Sequence, residues 1–80
     1  MIPPRIKKVQ ALDNFLLKIT YVNNEEKIYD MKKNLQEEFY ANLKNIAYFK
    51  LVKSADVTLE WPKGEDIDPN ELYEKSKLIN

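Results

Sequence analysis

The segment from Trp61 to Tyr73 constrains the fold of this chain more than any other part of the sequence. Gly64, the only glycine of the chain, follows a strand-like run, so we expect a positive φ where the chain leaves a sheet. Asp68 stands directly before Pro69, which is typical of a helix N-cap followed by the first helical residue. The segment therefore predicts a turn that leads into a helix.

The same helix start carries two further capping signals. Glu71 stands three residues after Asp68, which is the spacing of a capping box. Ile67 and Leu72 occupy the two positions of a hydrophobic staple around the cap. We therefore assign a structural role to the conspicuous residues of the segment, namely Trp61, Pro62, Gly64, Asp66, Asp68, Pro69, Glu71, Leu72 and Tyr73.

Alternation of apolar and polar residues predicts strands on both sides of a helical segment. The predicted strands span residues 5–12, 15–22, 27–29, 51–53 and 57–61. The second strand shows the clearest alternation, and it should bury Phe15, Leu17, Ile19 and Tyr21 on one face. The last two strands are expected to form a hairpin.

Between the third and fourth predicted strands, apolar residues recur every four positions, at Met31, Leu35, Phe39 and Leu43. This spacing predicts an amphipathic helix over residues 31–43, capped by Asp30, with one stripe packed on the sheet. Residues 45–50 are expected to form a further helical turn. The element order β-β-β-α-β-β-α predicts an α+β fold, with helices packed against a mainly antiparallel sheet of about five strands.

Length and composition narrow the possible functions. Eighty residues suffice for one small core, so we expect residues 1–80 to form a single domain. The chain contains no histidine and no cysteine, which removes the usual transition-metal ligands, thiol nucleophiles and disulfides. No apolar run is long enough for a signal peptide or a membrane span, so we expect a cytoplasmic protein without a membrane partner.

The chain resembles a small bacterial family known only as domain of unknown function family 2442. The resemblance covers nearly the whole chain, and the Trp61–Tyr73 segment is its most specific part. The other shared residues are Pro4, Arg5, Ile6, Tyr29, Asp30, Phe39, Leu43 and Phe49. Asn24 and Ala55-Asp56 stand in two turns where the family often has glycine.

The resemblance implies a fold, a bacterial setting and a protein partner, but no established chemistry and no cofactor. Similar proteins are often encoded beside a second small protein, in an arrangement suspected of being a toxin and antitoxin pair. The adjacent gene product is therefore the expected partner, and a homodimer is the other possibility.

Five carboxylates stand close together in the sequence, at Glu65, Asp66, Asp68, Glu71 and Glu74. Oxygen ligands of this kind suit magnesium or calcium, but the spacing is not that of a calcium-binding loop. Acidic residues also favour a helix N-terminus because of its dipole. We therefore favour a structural role over a metal site, and we expect Asp66 to accept main-chain N–H bonds in the turn after Gly64.

Two sets of exposed side chains are candidates for partner binding. Arg5, Lys7 and Lys8, together with Lys32 and Lys33, could form a nucleic-acid patch, but thirteen basic and thirteen acidic residues leave no net charge to attract a polyanion. We favour an edge strand protected by its charges. Among the aromatic residues, we expect Trp61 and the phenylalanines in the core. The candidates for a protein interface are Tyr40, Tyr48 and Tyr73.

These observations favour a non-enzymatic protein-binding module as the function, and the resemblance implies the antitoxin-like member of a two-gene pair. The alternative is a regulatory nucleic-acid-binding protein that acts alone or with a partner. An enzyme that uses only carboxylates, lysine and tyrosine is physically possible, but no pair of residues has a spacing that requires it. We predict no catalytic, cofactor-binding or metal-binding residue.

Overall fold

The computed structural model describes residues 2–80. The strands of this described part are β1 Ile6–Leu12, β2 Leu16–Tyr21, β3 Glu26–Asp30, β4 Lys53–Ala55, β5 Thr58–Glu60 and β6 Lys77–Leu78. Its α-helices are α1 Ile46–Phe49 and α2 Pro69–Lys75, and its 3₁₀ segments are Asp13–Phe15, Asn34–Gln36 and Glu38–Lys44. None of its helices has the length and apolar character needed to cross a membrane.

The main sheet is antiparallel, with the strand order β1-β2-β3-β6. β2 lies inside this sheet, and its residues Leu17, Ile19 and Tyr21 are fully buried on one face, as the alternation predicts. Phe15 just before β2 is half-buried against the same core. The predicted α+β class is confirmed.

β4 and β5 form a separate two-stranded hairpin, so the strands make two sheets instead of the single five-stranded sheet expected. The hairpin itself is confirmed. It attaches to the rim of the main sheet because the Ile6 N–H donates to the Asp56 carbonyl over 2.7 Å. The Arg5 guanidinium contacts the Asp56 carboxylate at the same place. β1 is thus an edge strand, as predicted, and the hairpin turn covers its first residue.

Two turns that lack glycine adopt positive φ with other residues. Asn24, in the turn between β2 and β3, has φ 71°, and Asp56, between β4 and β5, has φ 60°. Asparagine and aspartate tolerate this conformation better than other side chains. The missing glycines therefore leave both hairpins in place.

The predicted helix over residues 31–43 is wrong. The chain instead forms 3₁₀ segments at Asn34–Gln36 and Glu38–Lys44, separated by Glu37 in an extended conformation. This break changes which side chains face inward, because Tyr40 is buried while Phe39 remains 57% exposed. The Tyr40 hydroxyl donates to the Asp66 carbonyl over 2.7 Å, a tertiary bond that the regular spacing could not reveal.

α1 forms where the second helical turn is predicted. Its N-cap is Asn45, whose side-chain oxygen accepts from the N–H groups of Ala47 and Tyr48. Phe49 at its end is fully buried, whereas Ile46 at its start is exposed. The helix therefore fixes one core aromatic residue and presents one apolar residue to solvent.

The core is joined to the C-terminal segment through aromatic rings, in agreement with the expectation for Trp61. The Trp61 ring stacks on Phe49 with centroids 6.1 Å apart, and its Nε1 donates to the Phe49 carbonyl over 2.9 Å. Phe15 meets Phe49 edge-on at 5.2 Å. Gly64 has φ 101° in the turn that follows, as predicted.

Asp68 caps α2 as predicted, because its carboxylate accepts from the Asn70 N–H over 3.3 Å. Ile67 and Leu72, the expected staple residues, are both buried in the core. The capping box is wrong, since the Glu71 carboxylate bonds Tyr29 instead of turning back to the cap. After α2 the chain forms β6, a strand that the sequence analysis does not predict, which pairs with β3.

Candidate functional site

A cleft of about 380 Å³ lies where β3 ends. We call it the β3 cleft, and its lining residues are Tyr29, Asp30, Lys32, Lys33, Asn34, Glu37, Glu71 and Lys75. Three separate parts of the chain form it. The end of β3 supplies one wall, the 3₁₀ turn that follows supplies the second, and one face of α2 supplies the third.

The local sequence explains how these walls meet. The Asp30 carboxylate accepts from the Lys32 N–H over 2.9 Å, which turns the chain sharply after β3. Asn34 then lies close enough to receive a bond from the Tyr29 hydroxyl. On α2, Glu71 and Lys75 are four residues apart and therefore share one face of the helix.

Polar side chains form a bonded group at the bottom of the cleft. The Tyr29 hydroxyl lies 3.2 Å from Asn34 Oδ1 and 3.4 Å from Glu71 Oε2. Burial is the largest influence on Tyr29 and raises its pKa, so the hydroxyl keeps its proton at neutral pH. A single hydroxyl proton can serve only one of these two acceptors at a time. One of the two acceptor atoms, Asn34 Oδ1 or Glu71 Oε2, can therefore accept a hydrogen bond from a further donor.

Only some of the charged side chains around the cleft form ion pairs. Lys32 Nζ lies 3.3 Å from the Asp30 carboxylate and donates to the Asn14 carbonyl over 3.0 Å. Lys33 and Lys75, by contrast, form no ion pair with the residues that the structure describes. Glu37 and Glu71 of the lining form no ion pair with these residues either, so the unpaired charges of the cleft are two ammonium groups and two carboxylates.

Glu65 is a buried carboxylate whose role the sequence analysis misses. It is only 4% exposed, and it accepts bonds from the Tyr48 hydroxyl at 2.6 Å and from Asn42 Nδ2 at 3.1 Å. Burial works to raise the pKa of Glu65, but the bonds from Tyr48 and Asn42 outweigh it and hold the pKa below its usual value. Its partners are distant in sequence, so no local pattern could have identified this group.

The remaining carboxylates of the acidic stretch point to different places. Asp68 caps α2, Glu71 lines the β3 cleft, and Glu74 is exposed. Over residues 2–80, no group of three or more acidic side chains is arranged to hold a metal ion. The prediction that Asp66 accepts turn amides is wrong, because its side chain is exposed and its main-chain carbonyl is what accepts, from Tyr40.

The tyrosines predicted to bind a partner are largely committed to internal contacts. Tyr40 is buried, and this part of the interface prediction is wrong. Tyr48 bonds Glu65, and its oxygen also accepts from the Lys63 N–H over 2.8 Å. Tyr73 donates to the Glu25 carboxylate, and its ring lies under the Lys27 ammonium, 3.6 Å from Nζ to the ring centroid. Tyr48 and Tyr73 are half-buried, so only part of each ring reaches the surface.

The basic residues of β1 remain available at the surface. Lys7 and Lys8 are exposed, whereas the Arg5 guanidinium is bound to Asp56 at 2.7 Å. Lys32 and Lys33 belong to the β3 cleft instead. The structure therefore does not gather the predicted basic residues into one patch.

Large apolar side chains remain exposed around α1. Phe39 precedes the helix, Ile46 begins it, and Leu51 follows it, and all three are about half exposed. We call these residues the α1 apolar set. The four-residue spacing over residues 31–43 predicts Phe39 in the core, and no local pattern marks Ile46 or Leu51 as surface residues. Exposed aromatic and aliphatic side chains are the residues that protein interfaces use.

The molecule is thus a small α+β protein in which a C-terminal turn and helix close the core and a polar cleft opens at the end of β3. The sequence model of the family described as "Protein of unknown function (DUF2442)" matches residues 6–77, and the chain belongs to this family. No curated protein and no solved structure gives a significant match to the chain.

Proposed function

We propose that the protein is a non-enzymatic protein-binding module that acts as the antitoxin-like member of a two-gene pair. The observation that carries this proposal is the α1 apolar set, Phe39, Ile46 and Leu51, which stays exposed although the core buries most other large apolar residues. Exposed apolar surface is costly to keep in water and becomes favourable when a partner covers it.

Phe39 is the best candidate for an interface anchor within this set. Its ring meets the buried Tyr40 ring edge-on, with centroids 4.8 Å apart. Tyr40 is itself held by its bond to the Asp66 carbonyl. An aromatic ring that is already positioned loses little conformational entropy when a partner covers it, which favours binding.

The side-chain inventory supports a binding function over catalysis. The chain lacks histidine and cysteine, so the most common proton shuttle and the thiol nucleophile are missing. The Glu65 carboxylate is engaged by the Tyr48 hydroxyl, and the buried Tyr40 hydroxyl by the Asp66 carbonyl. Burial also raises the pKa of Tyr40 to about 12, far from a working acid or base at neutral pH.

The test is co-expression with the adjacent gene product, followed by size-exclusion chromatography. We expect one complex that elutes ahead of either protein. Phe39→Ala should weaken this complex by about thirtyfold or more, since interface anchors cost roughly 2 kcal/mol or more when truncated. Val22→Ala, at an exposed apolar residue in another part of the surface, is the matched control. Two separate peaks for the wild-type proteins at micromolar concentration contradict the proposal.

Regulatory nucleic-acid binding is the second candidate, and the exposed Lys7 and Lys8 on β1 favour it. Binding through these residues would fall steeply with salt, because each phosphate contact releases counterions. Filter binding of DNA and RNA at low salt, by the protein alone and with its partner, is the measurement. Loss of binding in the Lys7→Gln, Lys8→Gln double variant would support this function over the first.

A further inference from the structure

A half-buried carboxylate in the β3 cleft has no cation beside it. Glu71 is half-buried on α2, and it forms no ion pair with the residues that the structure describes. The donor nearest to its carboxylate is the Tyr29 hydroxyl at 3.4 Å, and this hydroxyl lies closer to Asn34, at 3.2 Å. A carboxylate that is partly removed from water is costly unless a charged or hydrogen-bonding group compensates it. Glu71 can therefore accept from a cationic donor outside the chain.

A second unpaired carboxylate acts on the same buried hydroxyl groups. Glu37 lines the cleft and, over residues 2–80, forms no ion pair. Burial is the largest cause that raises the pKa of Tyr29, and the charges of Glu71 and Glu37 raise it further. Burial also raises the pKa of Tyr40, followed by the charge of Glu37 and, to a smaller extent, that of Glu71. The buried end of the cleft is therefore under the influence of two negative charges.

The lysines of the lining do not neutralise this end of the cleft. Three acidic and three basic side chains line it, and of these six only Glu71 is half-buried, while the others are exposed. Lys32 is held by the Asp30 carboxylate and the Asn14 carbonyl. Water screens the exposed charges of Lys33 and Lys75 more strongly than a half-buried charge. The lining is thus balanced in formal charge but acidic where it is least exposed to solvent.

A buried amide in the same lining has an unused donor. Asn34 is 6% exposed, and its Oδ1 is the atom that accepts from Tyr29. Its Nδ2 donates to no group in the described part of the chain, although the residue lines the cleft. An amide donor that is this deeply placed is costly unless a ligand or water accepts from it. A ligand that fits both features brings a cation for Glu71 and an acceptor for Asn34.

We propose that the β3 cleft binds an arginine side chain carried by a peptide segment of the protein partner. This inference rests on the proposed function and gives the partner a second contact surface, apart from the α1 apolar set. The guanidinium donates to the carboxylates of Glu71 and Glu37, and a main-chain carbonyl of the peptide accepts from Asn34 Nδ2. The cleft volume of about 380 Å³ lies in the range of sites that hold small ligands.

The origin of the two carboxylates favours a guanidinium over other cations. Glu37 lies at the break between two 3₁₀ segments, and Glu71 lies on α2, so the two acceptors approach the cleft from different sides. A guanidinium is planar and has five N–H donors that can serve separate acceptors, whereas an ammonium is a compact point charge. Among residues 2–80, no group of three or more acidic side chains is arranged to hold a metal ion.

A pair of matched probes tests this assignment. Labelled protein is titrated with N-acetyl-argininamide and with N-acetyl-citrullinamide, which has the same shape but carries an uncharged urea group. By nuclear magnetic resonance we expect saturable shifts at millimolar concentration in Glu37, Glu71 and the Asn34 side-chain amide. The citrulline probe should bind about tenfold more weakly, the loss expected for one charge-assisted bond. Equal binding of both probes, shifts confined to other residues, or no saturable shifts would overturn the proposal.

Neutral isosteres of the acidic side chains identify the residues that bind. Glu71→Gln should weaken N-acetyl-argininamide by about tenfold, and Glu37→Gln, at an exposed residue, should weaken it by a smaller factor. Glu74→Gln is the matched control, because it removes an exposed carboxylate from the same helix but outside the lining. An effect of Glu74→Gln as large as that of Glu71→Gln would show general attraction by α2 and would contradict the assignment.

The lysines of the lining provide a test of the sign of the charge that attracts the ligand. Lys75 stands four residues after Glu71 on one face of α2, where it competes with a guanidinium for the carboxylate. The double variant Lys33→Gln, Lys75→Gln should therefore bind N-acetyl-argininamide at least as tightly as the wild-type protein. Weaker binding would show that the ammonium groups attract the probe through another of its groups, and the assignment would be wrong.

The behaviour of the complex with the protein partner separates this inference from the proposed function. A complex that forms with the wild-type protein and is unaffected by Glu71→Gln would remove the cleft assignment and leave the binding function intact. Absence of a complex with the wild-type protein would remove the proposed function, while the titration with N-acetyl-argininamide would still show whether the cleft takes a guanidinium.

Discussion

Two segments of the chain, residues 31–44 and residues 61–75, each follow a β-strand and each carry a helical signal in the sequence. Only the second segment forms the helix that its signal predicts. In residues 61–75, a glycine turn, an aspartate cap and a proline at the first helical position all specify the same start. In residues 31–44, the signal is a four-residue apolar spacing behind a single aspartate. The chain there breaks at Glu37 into two 3₁₀ segments.

The difference shows that local capping chemistry is a stronger determinant than periodicity in a domain of this size. A cap acts through neighbouring residues and needs no tertiary partner. A spacing of four only becomes a helix if the sheet presents a surface for the whole stripe. Here the Tyr29 hydroxyl donates to Asn34, and the Tyr40 hydroxyl donates to the Asp66 carbonyl. These two bonds hold the main chain of residues 31–44 in a conformation other than the predicted helix.

The largest expected effect is the loss of Trp61, which joins the C-terminal segment to the core. Trp61→Ala removes its stacking on Phe49 and its bond to the Phe49 carbonyl, and we expect a destabilisation of about 3–5 kcal/mol. For a small domain this approaches the whole free energy of unfolding. Urea denaturation monitored by circular dichroism measures it.

Phe39→Ala is the control from the other segment, because Phe39 is exposed. We expect a change within about 0.5 kcal/mol. Comparable losses of stability in Trp61→Ala and Phe39→Ala would mean that the two segments contribute equally to stability, contrary to this expectation.

Glu65 should give the next largest effect. Glu65→Ala leaves the Tyr48 hydroxyl and the Asn42 amide without their acceptor, which costs about 1–3 kcal/mol. The neighbouring Asp66 has an exposed side chain, so Asp66→Asn should change stability by less than about 0.5 kcal/mol. Thermal unfolding of both variants tests whether burial, and not acidity, decides the role of each carboxylate in this stretch.

The helix cap is expected to contribute less than Glu65. Asp68→Ala should cost about 1 kcal/mol, the typical value for an N-cap, while Asp68→Asn should stay close to wild type because asparagine caps equally well. Chemical denaturation of the pair gives the answer. Equal destabilisation by alanine and asparagine would show that the negative charge, and not the cap bond, stabilises α2.

The smallest expected effect appears only in acid. The folded pKa of Glu65 lies below its unfolded value of about 4.5, so its carboxylate adds stability above that pH and loses it as the pH falls through the folded pKa. Glu65→Gln should therefore reduce the fall in stability on the acid side of pH 4.5.

Some pH dependence of stability should persist in Glu65→Gln, because a second carboxylate, Glu25, also has a lowered pKa in the folded protein. The bond from the Tyr73 hydroxyl is the main cause that lowers the pKa of Glu25. Denaturation curves recorded from neutral pH into this acid range give the comparison. A variant as acid-sensitive as the wild-type protein would show that Glu65 is not the carboxylate responsible.

The candidate sites were less predictable than the fold. The caps, hairpins and buried strand face depend on neighbours in sequence, so they were visible in advance. The β3 cleft joins Tyr29, Asn34 and Glu71 from three parts of the chain, and the Glu65 group joins residues 17 and 23 positions away. A local sequence pattern spans only a few residues, so it cannot reveal contacts between residues this far apart in the sequence.

By itself, the sequence determined the α+β class, the β4–β5 hairpin, the turn at Gly64 and the capped start of α2, because each of these depends on the conformational preferences of adjacent residues. Tertiary structure alone decided that residues 31–44 break, that β6 pairs with β3, and that Phe39 rather than Tyr40 faces solvent. These outcomes depend on bonds and packing between distant residues, where several local conformations are nearly equal in energy and the best long-range contacts select one.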